Sequence, residues 1–190
     1  DPSYNIPHVS IDNYQAARDA VEYLIAKGHT QIGTVSSNNR FFSAAERMRG
    51  FRDALTDAGL TVNEEYIRYA AWDDFKASSK AAYSLLKGPD HPTALFCISD
   101  ILALGAIASA KELGLRVPED ISVIGFDDVE YTTMFHPYVT TVVQPCYEIG
   151  YHALDLVCRM IRRKEVPKTT VLAHHLVFRE SVAVKPQDTV

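Results

Sequence analysis

No apolar stretch in this 190-residue chain is long enough to span a bilayer, which excludes a helical membrane protein. Positive charge is also in short supply. Nineteen Lys+Arg against 24 Asp+Glu leave a formal net charge of −5, so a basic nucleic-acid-binding surface is not what these residues build. Cysteine is scarce: Cys97, Cys146 and Cys158 are odd in number and far apart, giving neither a disulfide framework nor metal-ligand spacing. Cys97, inside the apolar run Thr93 to Cys97, reads as a buried thiol, and a reducing compartment follows as the expectation. There is no glycine-rich phosphate loop and no G-x-S-x-G elbow. His174 and His175 are adjacent, so in a strand they face opposite sides and cannot share one ion. Neither cofactor nor metal is expected. The start, Asp1-Pro2-Ser3, shows no secretory leader and no initiator Met, and reads as a piece of a longer protein.

What is present is a globular composition, 47% hydrophobic and 23% charged, arranged as alternating helices and strands. Asp12 is a natural N-cap, and Ala16, Ala17, Ala20, Val21 and Leu24 follow at helical spacing until Gly28. A strand over Gln31 to Val35 leads into a polar loop. Ser43-Ala44-Ala45-Glu46 then fits a capping box, opening a helix that runs to about Ala58. A strand over Tyr66 to Ala70, a helix near Phe75 to Leu86 and a strand over Thr93 to Ile98 come next. Asp100 reads as the cap of a helix through Leu113, and Ile121 to Phe126 is an unbroken apolar strand. This order predicts an α/β fold with a doubly wound, mostly parallel sheet, whose ligands bind beyond the carboxyl ends of the strands. Farther on lie a short extended stretch, Thr140 to Val143, a long amphipathic helix with Ile149, Ala153, Leu156, Val157, Met160 and Ile161 on one stripe, and one or two strands between Thr169 and Val184.

That rule points to the loops after Val35, Ala70, Ile98 and Phe126. Asp127 suits an ionised acceptor for ligand hydroxyl or amino groups; the plainer reading is a cap on the next helix. Asp127 and Asp128 as a catalytic pair is disfavoured, because consecutive side chains diverge. Arg47, one turn into its helix, is either a solvated surface residue or a fork leaning back toward the strand ends. Trp72, the only tryptophan, is either core or a flat platform for a sugar or a base.

Taken in order, the segments Ile11-Asp12-Asn13, Glu46-Arg47-Met48-Arg49-Gly50-Phe51, Pro92 to Cys97, Ser99-Asp100-Ile101-Leu102-Ala103-Leu104-Gly105-Ala106, Gly114 to Asp128 and Thr140 to Pro145 resemble the effector-binding core of bacterial LacI/GalR-type transcriptional regulators. The resemblance implies a periplasmic-binding-protein-like lobe that closes on a small effector. It implies effector contacts at Ser43, Arg47, Trp72, Ser99, Asp127 and Gln144, with no catalysis. It also implies a cytoplasmic homodimer, with Leu102, Leu104 and Ile107 as a candidate dimer surface, and operator DNA read by a helix-turn-helix domain outside this chain. Residues 1–136 would form most of the C-terminal lobe, 137–168 a segment of the N-terminal lobe, and 169–190 the return strands and tail. The amphipathic helix would then be displaced, mobile or packed on another chain. Phe41 stands where purine-sensing members place a base-reading arginine, which turns the expectation toward a sugar or sugar derivative, with a nucleoside second. A periplasmic sugar-binding protein of a transport system is the rival that shares the fold. An α/β enzyme using Asp127 or Asp128 is a third reading, with no nucleophile, metal set or cofactor loop behind it.

Overall fold

The computed structural model describes residues 6–38 and 41–185. The first and last five residues, and Asn39 and Arg40 within the loop expected over 36–42, lie outside the described residues. The chain runs β1 (His8–Ile11), α1 (Asn13–Ala26), β2 (Ile32–Ser36), α2 (Phe42–Asp57), β3 (Ile67–Tyr69), α3 (Phe75–Leu86), β4 (Ala94–Cys97) and α4 (Asp100–Glu112). It continues through β5 (Ser122–Asp127), β6 (Thr140–Val143), α5 (Cys146–Ile161), β7 (Thr169–Leu172) and β8 (His175–Val177), with 3-10 turns before β3 and after β5.

Six strands form one sheet in the order β3-β2-β4-β5-β6-β8, parallel except for β8, which pairs antiparallel with β6. The expected α/β, doubly wound, mostly parallel architecture is what forms. All residues of β2 and β4, and all but the last of β5, are buried, as continuous apolar strands covered on both faces must be. The chain leaves β2 for β3 on one side and returns across it to β4 on the other. Right-handed crossovers then place α1 and α2 together on one face and α3 and α4 on the other. The point where direction reverses, between β2 and β4, opens a crevice at the strand ends.

A second, smaller unit stands beside this sheet: β1 pairs in parallel with β7, and α5 packs against β1. Two pairings depart from the division that the resemblance implies. It assigns residues 140–143 to a separate lobe, yet β6 sits inside the main sheet between β5 and β8. It assigns residues 8–11 to the main lobe, yet β1 belongs to the two-stranded ribbon. The physical reason for the first is that Thr140, Thr141 and Val142 are all buried against β5, a setting that an isolated ribbon does not offer.

Two expected caps also change. Ser43 and Glu46 form no capping box: α2 begins two residues earlier, with Phe41 at the N-cap in place of Ser43 and no side-chain bond there. Ser99, not Asp100, caps α4, its hydroxyl accepting from the Leu102 amide at 3.4 Å. Asp12 does cap α1, accepting from the Gln15 amide at 2.9 Å.

Candidate functional site

The site is organised by Arg47, which is only 2% exposed. Gly50, one turn along α2, lets that helix press against α1, since a Cβ there would overlap the Tyr14 carbonyl. This close approach directs Arg47 inward, beneath the strand ends. Its Nε donates to Asn13 Oδ1 (2.8 Å), and its Nη1 donates to the Ile98 carbonyl (2.7 Å) and to Asp127 Oδ1 (3.2 Å). The guanidinium carbon, Cζ, lies over the Phe126 ring at 3.4 Å from its centroid and over the Trp72 ring at 4.8 Å. Planar stacking on aromatic faces is what arginine, and not lysine, can do. Burial pulls the Arg47 pKa down to about 10, with Asp127 opposing that shift, so the side chain remains a cation at neutral pH.

Asp127 ends β5 with φ of 114°, and Asp128 follows with φ of 56°. Two successive non-glycine residues in the left-handed half of backbone space hold strain, which surrounding bonds must sustain. Asp127 Oδ1 accepts from Arg47 and from Gln144 Nε2 (2.6 Å). Asp128 Oδ1 accepts from Arg179 Nη2 (2.6 Å), whose Nη1 also reaches the Val139 carbonyl. Burial raises the Asp127 pKa above the ordinary carboxylate value, while Arg47 and Gln144 pull it back.

Beside this cluster lies a cavity of about 820 Å³ between the loops after β2 and β3, walled by Ser37, Phe41, Ser43, Tyr69, Trp72 and Asp73. Phe41 meets Trp72 edge to face at 6.3 Å. Such a hollow, aromatic with a few polar groups, fits a small organic ligand.

The sequence-derived residues therefore gather at one end of the sheet, in two layers. Ser43 and Trp72 line the cavity; Arg47, Asp127 and Gln144 form the hydrogen-bonded cluster that adjoins it through the Arg47–Trp72 stack. Ser99 is buried, and its hydroxyl donates to the Trp72 carbonyl (3.0 Å), so it holds the aromatic wall in place. Asn13 and Arg179 went unassigned in the sequence, and Asp100 was read only as a helix cap. Asn13 stood in a segment of the resemblance, but a cap dipeptide at a helix start gives no sign of a partner 34 residues away. Leu102 is buried core, while Ile107, itself mostly buried, lines a separate apolar recess of about 400 Å³ with Ile101, Leu104, Tyr131 and Phe135. Among the described residues, no group of His, Cys, Asp and Glu is gathered that could hold a metal. No helix among them is long and apolar enough to cross a membrane.

A family model described as a periplasmic binding protein-like domain matches residues 21–182. The HTH-type transcriptional repressor CytR of Escherichia coli K12 is 40% identical over 186 residues, which is 97% of this chain and 54% of that protein. Catabolite control protein A of Priestia megaterium is 39% identical over 178 residues, 93% of this chain and 53% of that protein. The chain thus spans about half the length of the curated relatives it matches. Among solved structures, the transcriptional regulator CelR–cellobiose complex superposes with a TM-score of 0.86 at 34% identity, over 93% of this chain and 54% of that one. A LacI family transcriptional regulator from Mycobacterium smegmatis does so with a TM-score of 0.86 at 32% identity, over 93% and 66%.

Proposed function

Because the chain belongs to the periplasmic binding protein-like family, we propose that it is the effector-binding part of a LacI-type transcriptional repressor sensing a small polar molecule. The observation that carries this reading is the convergence of Arg47, Asp127 and Trp72 at the sheet's switch point, beside an aromatic-walled cavity. Relatives named as transcriptional regulators and repressors favour it over a transport protein of the same fold and over an enzyme. The effector class is a sugar or sugar derivative. Trp72, Phe41 and Tyr69 offer apolar faces for a ring, and Ser43, Asp73 and the Asp127 carboxylate accept hydrogen bonds from its hydroxyls. Cellobiose on the related CelR is in keeping with this class. A nucleoside is the second reading, since a base would stack on the same rings.

Mechanistically, the effector acts by its differential affinity for two arrangements of the protein. Gln144 is the lever: it donates to Asp127 and lies between β6 and α5, at the crossing from the sheet to the smaller unit. An effector hydroxyl that takes the place of the Gln144 amide on Asp127 alters that crossing. We assign operator DNA to the part of the relatives that this chain does not span, and self-association to the apolar recess on α4.

A melting-temperature screen of this chain against monosaccharides, cellobiose and nucleosides tests the reading. A ligand at a hundred times its Kd adds about 2.7 kcal/mol, a rise of roughly 5–10 °C for a chain of this size. A sugar is expected to score, and Trp72→Ala and Asp127→Asn to abolish the rise. A hit that both variants retain in full would put the site elsewhere.

A further inference from the structure

The chain carries a buried carboxylate at the N-terminus of α4 that contacts neither the cavity nor Arg47 directly, yet touches both flanks of the strained turn. Asp100 is fully buried. Its Oδ2 accepts from the Val129 amide (2.9 Å), directly after the Asp127–Asp128 pair, and its Oδ1 accepts from the Thr141 hydroxyl on β6 (2.6 Å). Gly125 clears the space for it: a Cβ on that residue would collide with Asp100 Oδ1. The preceding residue, Ser99, ties the carbonyl of Trp72 to the same helix start. One helix end thus fixes the carboxylate wall and the aromatic wall together.

We propose that Asp100 is the positioning residue of the effector site, locking Val129 just after the strained turn and Thr141, which pairs with Gly125 before it, so that the turn presents Asp127 toward the ligand. The inference rests on the effector-site reading. Its physical basis is that two positive-φ residues do not hold their shape unaided, and the bond to Val129 closes the turn on its far side while Arg47 and Gln144 close it on the near side. Burial, followed by the charges of Asp127 and Asp128, pushes the Asp100 pKa up to about 7, against the pull of the Thr141 and Val129 bonds. The charged groups facing it are Asp127 at the end of β5, Asp128 just after it and Arg47 from α2; the buried Cys97 thiol at the end of β4 also feels it, its own pKa pushed up mainly by burial. When Asp100 takes up a proton, that O–H donates to the Thr141 oxygen, and the Thr141 hydroxyl turns to the Val142 carbonyl, 3.5 Å away. The turn therefore keeps its two bonds in both protonation states.

An asparagine reproduces the protonated form, donating to Thr141 and accepting from Val129. Asp100→Asn is thus the conservative rescue and Asp100→Ala the disruption. Amide resonances followed by NMR from pH 5 to 8 report on the turn without any ligand, so they test the role of Asp100 whether or not an effector is found. In the unaltered chain, the Val129 amide is expected to titrate near pH 7. Asp100→Asn is expected to remove that step while leaving the Asp127 and Gln144 backbone amides near their unaltered positions. Asp100→Ala is expected to displace those amides and to weaken cellobiose or any sugar hit at least about tenfold, with Asp100→Asn restoring most of the affinity. If Asp100→Ala does not fold, Thr141→Val removes one of the two bonds and is expected to shift the Val129 titration and displace the Asp127 amide. Unchanged Asp127 and Val129 resonances in Asp100→Ala, or in Thr141→Val where that substitutes for it, would overturn the proposal.

Discussion

The two parts of this molecule treat apolar surface in opposite ways. In the six-stranded lobe, α4 buries eight of its 13 residues. In α5, 16 residues long and the most amphipathic in pattern, only Leu156 is buried. Tyr147 is 81% exposed and Ile161 76%, with Leu154 and Val157 at least half exposed. The lobe completes its own core; β1 of the ribbon packs on one edge of α5, and half of the stripe, Val157, Met160 and Ile161, stays exposed among the described residues. A sequence can thus specify a helix by periodicity while leaving its burial to surfaces that its own fold does not supply.

This contrast can be broken from either side. The largest effect belongs to the lobe. Phe51 is 1% exposed and stacks on Phe96 at 6.2 Å, so Phe51→Ala should cost about 3–5 kcal/mol in denaturant unfolding. Arg47→Ala follows, at about 3 kcal/mol, because it leaves the largely buried Asp127 carboxylate with one partner fewer. Leu156→Ala should cost less than either, about 2 kcal/mol, and should raise hydrogen exchange in α5 and β1 before it affects β4 or β5. An equal rise in both parts would show that they unfold as one unit. Ile161→Ser should stay within about 0.5 kcal/mol while lowering any self-association through that face. The smallest effect is a pH dependence in the lobe. His29 bonds Thr93, Ser122 and the Ala183 carbonyl, and burial lowers its pKa below the ordinary value of 6.5. Its folded state favours the neutral ring, so its contribution is whole above pH 6.5 and declines as pH falls toward the folded pKa. Asp100, with a raised pKa, runs the other way: its contribution is whole below the unfolded value near 3.8 and is lost as pH rises through about 7. The His29 part is therefore read as the melting-temperature difference between the unaltered chain and His29→Gln at each pH.

The same contrast governs what could be read from residues alone. Continuous apolar strands such as Ile121 to Phe126 and capped helices such as that after Asp12 have one physical solution, and they formed as expected, α3 at its predicted bounds. Ser43, Arg47, Trp72, Asp127 and Gln144 were singled out by position beyond the strand ends and by resemblance, and the fold brings them to one end of the sheet. What stayed hidden was long-range and polar. The resemblance implies Ser99 as an effector contact and Asp100 reads as a helix cap, but the cap fell to Ser99 and the carboxylate turned to β6 and the turn after β5. Arg179 showed no local pattern that announces its bond to Asp128, 51 residues earlier. Placement of β6 was missed because a four-residue extended stretch carries no mark of which sheet it joins.

Trp72, Arg47 and Asp127 are proposed to share one small-molecule site, and Trp72 is the only tryptophan in the chain. Its emission during titration with a sugar that raises the melting temperature is the most direct reading. A saturable change at the midpoint of binding, lost in Asp127→Asn, is the predicted result. A ligand that raises the melting temperature while Trp72 emission stays flat through saturation would contradict the account.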